Sequence, residues 1–301
     1  MKLITTLTLI SCFAFAQSPE LVYPEGEIGE MVKLGEAIIK NTDTHPLTKD
    51  LVHNKLKCVN CHLAGTDMHP GTSPSMGTFS GIAVRFPLYN KREKVVITLQ
   101  DRIDNCFMRS LDGTRPIIDS EASIAMFTYI TWLSTGKAID INPATSKAPN
   151  FSKEIKKFTQ IQKEASHKNF INGKKVFEAK CVACHGANGE GIATFPPLWG
   201  KGTDGKWLSY NTGAGMSKLD KSAAWIQQNM PLGAGGSLSD QDAADVAIYI
   251  NAQERAPFNL SEKIDAIKDQ GYYNSKRLKE INSVEANFKK LGLDFKTIRG
   301  N

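Results

Sequence analysis

The sequence predicts a mostly α-helical chain built as two domains in tandem, and three observations predict it. The motif Cys58-Val59-Asn60-Cys61-His62 returns as Cys181-Val182-Ala183-Cys184-His185. Stretches with the helical spacing of apolar residues flank each copy. Between the copies, 142–163 carries Pro143, Pro149 and several serines and lysines, the composition of an interdomain linker. A length of 301 residues suits two modest domains better than one.

The elements around the motifs repeat in order. Before the second motif, Asn172 is placed to cap a helix carrying Gly173, Val176 and Phe177, which runs into the cysteines. Before the first, Gly35, Ile38 and Ile39 lie on a comparable helix, followed by a longer loop. After the first motif, Asp119 is the expected cap of a helix with Met126, Phe127, Ile130 and Leu133 on one face and Gly136 as its stop. Its counterpart starts at the Ser239/Asp242 capping box and buries Ala243, Val246, Ala247 and Ile250. Each half is therefore helix, Cys-x-x-Cys-His, long loop, helix.

The motif has a chemical reason. Two cysteines three apart on a short turn reach the two vinyl groups of one haem, and the next residue, histidine, lies under the iron. A redox dithiol or half of a zinc site needs no such histidine. The expected fold is thus mostly α, two cytochrome c-type domains in tandem, each with one covalent haem held by Cys58 and Cys61 or by Cys181 and Cys184. His62 and His185 are the proximal iron ligands. The domains are expected over 17–141 and 164–256, with the linker at 142–163 between them. A tail at 257–301 has some helical periodicity and no recognisable chemistry.

Residues 1–16 read as a secretory signal: Lys2, an apolar stretch from Leu3 to Phe15, and the small-x-small site Ala14-Phe15-Ala16. The stretch is short of the ~20 residues a bilayer span needs, and no other uncharged apolar run is long enough. The expectation is an exported, periplasmic protein with no stable membrane insertion. Leu9-Ile10-Ser11-Cys12 loosely resembles a lipoprotein box, but the apolar run continues past it. A net charge of +6 is mild and no basic run is dense, which argues against nucleic acid as a partner. It is compatible with an anionic small substrate or an acidic protein.

Six cysteines are present. Cys12 leaves with the signal and four belong to the motifs, so Cys106 is an odd thiol that needs an explanation. A six-coordinate haem needs a distal ligand. In the second domain Met230, before Pro231, is the natural candidate and Met216 its rival; a Met/His pair raises the potential, which suits an electron-exit haem. The first domain offers Met68, Met76, Met108, Met126, His45, His53, His69 and Cys106. Cys106 lies almost as far beyond His62 as Met230 lies beyond His185, and a thiolate is a soft, strongly donating ligand. The alternative is an inert cysteine with Met108 as ligand. Arg102 and Ser110 lie one helical turn on either side of Cys106, which places a guanidinium and a hydroxyl on its face.

The stretches Leu56–Leu63, Gly77–Phe79, Phe86–Tyr89 and Thr98–Gly113, with Phe195–Gly200, Gly213–Met216 and Asn229–Pro231 in the second half, resemble the dihaem thiosulfate dehydrogenases, some of which work mainly as tetrathionate reductases. The likeness runs from about Glu27 to Ala256, and Arg102–Gly113 is its most specific part. It implies that the N-terminal domain holds the active-site haem, with Cys106 as iron ligand and catalytic residue, and that Arg92, Arg102 and Ser110 line the substrate pocket. The C-terminal domain then holds the electron-transfer haem. Some members place a lysine before the methionine of the second haem; here that position is Asn229. The implied substrates are thiosulfate and tetrathionate, with a small redox protein such as a soluble cytochrome c as electron partner. A dihaem electron carrier, a dihaem peroxidase and a sulfur-carrier subunit are the rival readings.

Overall fold

A computed structural model describes residues 21–264 and 273–300. The expected signal segment, 1–16, lies outside them. The described chain is helical with two short hairpins, and no described helix is long and apolar enough to cross a membrane.

In the first half, α1 (Gly26–Lys40) packs on α3 (Glu121–Trp132). Val32, Ile38 and Ile39 meet Ala125, Met126, Tyr129 and Ile130 in one buried cluster. Contact is closest at Gly35, where a Cβ would stand 2.1 Å from the carbonyl oxygen of Ala125. In the second half, α5 (His167–Lys180) packs on α8 (Asp240–Asn251) with the same device: a Cβ on Gly173 would stand 2.0 Å from the carbonyl oxygen of Asp245. The repeated glycine lets two helices cross nearly backbone to backbone, and it confirms two copies of one unit.

Several expected details differ. Ser120, not Asp119, caps α3, accepting from the Ser123 amide. Phe127 is 38% exposed and Tyr129 takes the inward place. The helix α5 starts at His167, so Asn172 is mid-helix and donates to Asp242 and Asp245 of α8. Ser239 does cap α8.

The expected linker is only partly a linker. Its second half is the helix α4 (Ser152–Lys163), which belongs to the second domain. Phe158 enters that core, and the buried Gln162 donates to the carbonyls of Leu219 and Ala244. Lysines on the outer face of α4 hid its amphipathic pattern among linker-like residues.

The tail is also structured. Its strand β3 (Phe258–Asn259) pairs antiparallel with β4 (Ile281–Asn282), and the helices Val284–Lys289 and Phe295–Arg299 follow. Phe288 and Ile298 pack with Phe170 and Ile248 of the second domain, while Phe258, Leu260 and Tyr273 bury Met108 of the first. The tail therefore clamps both domains.

Candidate active site

The first motif lies on a 3-10 turn, Cys58–Asn60, pinned by short side chains. The Asn60 side chain accepts from the Lys57 amide at 2.7 Å, and the Thr42 hydroxyl bridges the Cys58 amide and sulfur, both at 3.2 Å. His62 Nδ1 is 2.6 Å from the carbonyl oxygen of Gly77. A carbonyl only accepts, so Nδ1 carries the proton and Nε2 is left to bind a metal. Phe79 stacks on the imidazole at 4.0 Å. The second motif lies on the short helix α6 (Val182–His185), and its histidine is held alike, with His185 Nδ1 2.8 Å from the carbonyl oxygen of Pro196.

Helix α2 (Leu99–Arg109) presents the third sulfur. A capping box starts it: Thr98 accepts from the Asp101 amide, and the Asp101 carboxylate accepts from the Thr98 amide at 2.9 Å. One turn on, Arg102 donates from a terminal nitrogen to Cys106 Sγ at 3.0 Å. Burial pushes the Cys106 thiol up, but the Arg102 charge, contact with His62 and the Arg92 charge outweigh it and bring it down to about 6. Burial pushes Cys58 and Cys61 the other way, to about 12, and Cys181 to about 11. Cys106 thus has the thiolate character of a soft ligand or nucleophile, which unattached motif thiols lack.

The donor set fits a haem in each domain. All five described cysteines are free, so the Cys-x-x-Cys pairs are not disulfides. Cys58, Cys61 and Cys106 lie close enough to influence one another's ionisation, with His62 beside Cys106. Cys58 packs against a buried apolar cluster that includes Leu56, Phe79, Ile103 and Phe107. Met108 points to the other side of α2, into the tail. His69 is engaged with Glu36 and Trp132, Met126 is buried among the helices, and Met68 is 75% exposed. In the second domain Met230 follows α7 (Leu219–Asn229) and packs, half-buried, in the cluster containing Cys181 and Leu198. Met216 touches both domain cores.

Residues 52–139 match the family described as SoxA/TsdA, cytochrome c domain, and residues 170–254 match cytochrome c. A thiosulfate dehydrogenase of Thiomonas intermedia is 38% identical over 246 residues, 80% of this chain and 71% of the relative. One from Allochromatium vinosum is 36% identical over 241 residues, 78% of this chain and 82% of the relative. The chain belongs to the thiosulfate dehydrogenase family. A solved thiosulfate dehydrogenase (TsdBA) of Marichromatium purpuratum, as isolated, has the same fold, with a TM-score of 0.66 at 30% identity. It covers 87% of this chain, which in turn spans 54% of that one. Two cytochrome c domains carry two covalent c-type haems; Cys58, Cys61 and His62, and Cys181, Cys184 and His185, are the residues that could hold them.

The residues expected to line a pocket lie near Cys106. Arg92 lies on the hairpin turn between β1 (Leu88–Asn90) and β2 (Val95–Ile97). Lost hydration and the Arg109 and Arg102 charges bring its guanidinium down to about 10. Its Nε donates to Glu93 at 2.9 Å, and its terminal nitrogens make no hydrogen bond among the described residues. Ser110 closes α2, its amide on the Cys106 carbonyl at 2.8 Å, and its hydroxyl likewise has no partner among the described residues.

The sequence did not reveal what holds Arg92. Glu93 is fully buried and accepts from Arg92, Arg109 (3.3 Å) and Ser275 (2.8 Å). Arg109 faces away from Cys106: it is 1% exposed, over the Phe258 ring and bonded to Glu280 at 3.0 Å. The tail, whose chemistry the sequence did not show, thus supplies Ser275 and Glu280 to the buried ion-pair network behind Arg92. Lys221 on α7 adds cationic character: lost hydration, then the charges of Arg92 and Arg102, lower its pKa.

Proposed function

We propose that the protein is a periplasmic dihaem oxidoreductase that interconverts thiosulfate and tetrathionate, with Cys106 as both distal ligand of the first haem and sulfur acceptor. The observation that carries this reading is the Cys106 thiol, outside both motifs, held 3.0 Å from Arg102 and facing His62.

The chemistry balances on the residues present. A Cys106 thiolate and one thiosulfate form Cys–S–S–SO3⁻ and release two electrons. A second thiosulfate attacks the sulfane sulfur, the Cys106–sulfur bond breaks, and tetrathionate leaves with the thiolate restored. Two bound haems would supply one one-electron acceptor each, enough for the pair. Arg102 stabilises the thiolate and, with Arg92, orients the sulfonate dianions through charge-assisted hydrogen bonds. The Ser110 hydroxyl donates to a sulfonate oxygen. In the reverse direction the thiolate attacks tetrathionate and expels thiosulfate.

This route has a direct test. Incubating the oxidised, haem-loaded protein with tetrathionate is expected to add one thiosulfate unit to the peptide containing Cys106, and thiol reductant should remove it. An unmodified peptide under turnover conditions contradicts the covalent route.

His185 and Met230 would hold the second haem, which would supply the exit for electrons to a soluble redox protein such as a small cytochrome c. Met230→Ala is expected to lower that haem's potential and abolish the methionine-to-iron charge-transfer band, while the thiolate haem keeps its spectrum. A surviving band makes Met216 the ligand. The export pattern at 1–16 and covalent haem chemistry support the periplasm as the compartment.

A further inference from the structure

We propose that Gln228 is a positioning residue through which the second domain sets the donor strength of His62, the proximal residue of the first haem. The inference rests on the reading that His62 and Cys106 ligate that haem and Met230 the other.

The two proximal histidines are held alike within their own domains, and the first has an added tie to the other domain. His185 donates to Pro196, and the neighbouring loop is fixed within its own domain, by Leu198 N on Gly189 O at 2.7 Å. His62 donates to Gly77 at 2.6 Å, and Phe79 N on Gly71 O at 2.6 Å fixes that loop in the same way; the segment before the Gly77 carbonyl is tied in addition to the other domain. The Met76 amide donates to Gln228 Oε1 at 2.7 Å. The Met76 carbonyl accepts from Asn229 Nδ2 at 3.2 Å, and the Ser75 hydroxyl donates to Asn229 Oδ1 at 2.5 Å. Trp225 Nε1 donates to the carbonyl of Cys61 at 3.0 Å.

Trp225, Gln228 and Asn229 are spaced i, i+3 and i+4, so one face of α7 makes all these bonds. The residue after that face is Met230. One helix end therefore carries the second haem's methionine and holds the loop under the first haem's histidine. The loop has little slack: Gly77 has φ +110°, and a Cβ there would stand 2.7 Å from the Cys61 carbonyl and 3.2 Å from Trp225 Nε1. Gln228 is the member whose side chain accepts from the loop's backbone, at the Met76 amide.

A histidine whose Nδ1–H is strongly bonded is a better electron donor to its metal and stabilises the oxidised state. Loosening the Gly77 carbonyl weakens that donation and raises the potential of the first haem. Displacement of the helix end around Met230 acts on the same carbonyl, which ties the two potentials together.

The test uses the haem-loaded protein and spectroelectrochemical titration of both haems. The parent is measured first: without a thiolate-ligated haem spectrum, the underlying site assignment fails independently of Gln228. Gln228→Leu removes the acceptor for the Met76 amide and is expected to shift the thiolate haem upward, with a smaller change at the methionine haem. Gln228→Glu keeps the acceptor and adds negative charge, so any shift it causes is downward. Ser75→Ala, a milder cut in the same tie, should shift the thiolate haem upward by less. The proposal is overturned if Gln228→Leu leaves the thiolate haem unmoved or moves both haems equally, or if Gln228→Glu moves it upward as leucine does.

Discussion

Cys106→Ala is expected to remove turnover in both directions, by on the order of 10³-fold or more, while both haems stay attached. The attachment cysteines and both histidines are untouched, so the second haem should keep its spectrum. The first should lose its thiolate signature and become high-spin or take a neighbouring ligand. Met108 is the nearest methionine in sequence, but it is buried against Phe258 and Tyr273 on the far side of α2, so recruiting it means unwinding that contact. The variant should therefore be high-spin in the main. Near-normal turnover in it makes the protein an electron carrier.

Arg102→Ala ranks second. The guanidinium lies 3.0 Å from the Cys106 sulfur, where a bound anion would meet it. Losing a charge-assisted contact to a partly buried anion costs about 2–5 kcal/mol, or roughly 30- to 5,000-fold in kcat/KM. The loss should appear for thiosulfate and tetrathionate alike, with haem content unchanged. Arg92→Ala should also weaken substrate binding, and it strands the buried Glu93 with Arg109 as its remaining close cation. Some loss of stability is therefore expected in that variant and not in Arg102→Ala. Steady-state kinetics with a thermal melt separate the two; unchanged kinetics in both return these arginines to an ordinary solvated face.

Local chemistry was legible and distant partnerships were not. The Cys-x-x-Cys-His motifs and the odd cysteine with Arg102 one turn away act over a few residues, where spacing translates directly into geometry. Glu93 looked like one more charged residue on a polar turn. Its meaning comes from Arg109 and Ser275, which only folding brings to it. Gln228 was equally silent, because its partner, the Met76 backbone amide, has no side-chain signature. The tail and α4 were undervalued for a related reason. Both spread their apolar anchors thinly among lysines, asparagines and serines, and those anchors gain sense only against Met108, Phe170 or the second-domain core.

The most direct test of the central claim is a bidirectional assay of the haem-loaded protein, with thiosulfate plus a one-electron oxidant in one arm and tetrathionate plus a reductant in the other. The account predicts catalytic turnover in both arms, each abolished by Cys106→Ala. A protein with both haems in place that exchanges electrons with the mediators yet turns over neither sulfur compound would contradict it.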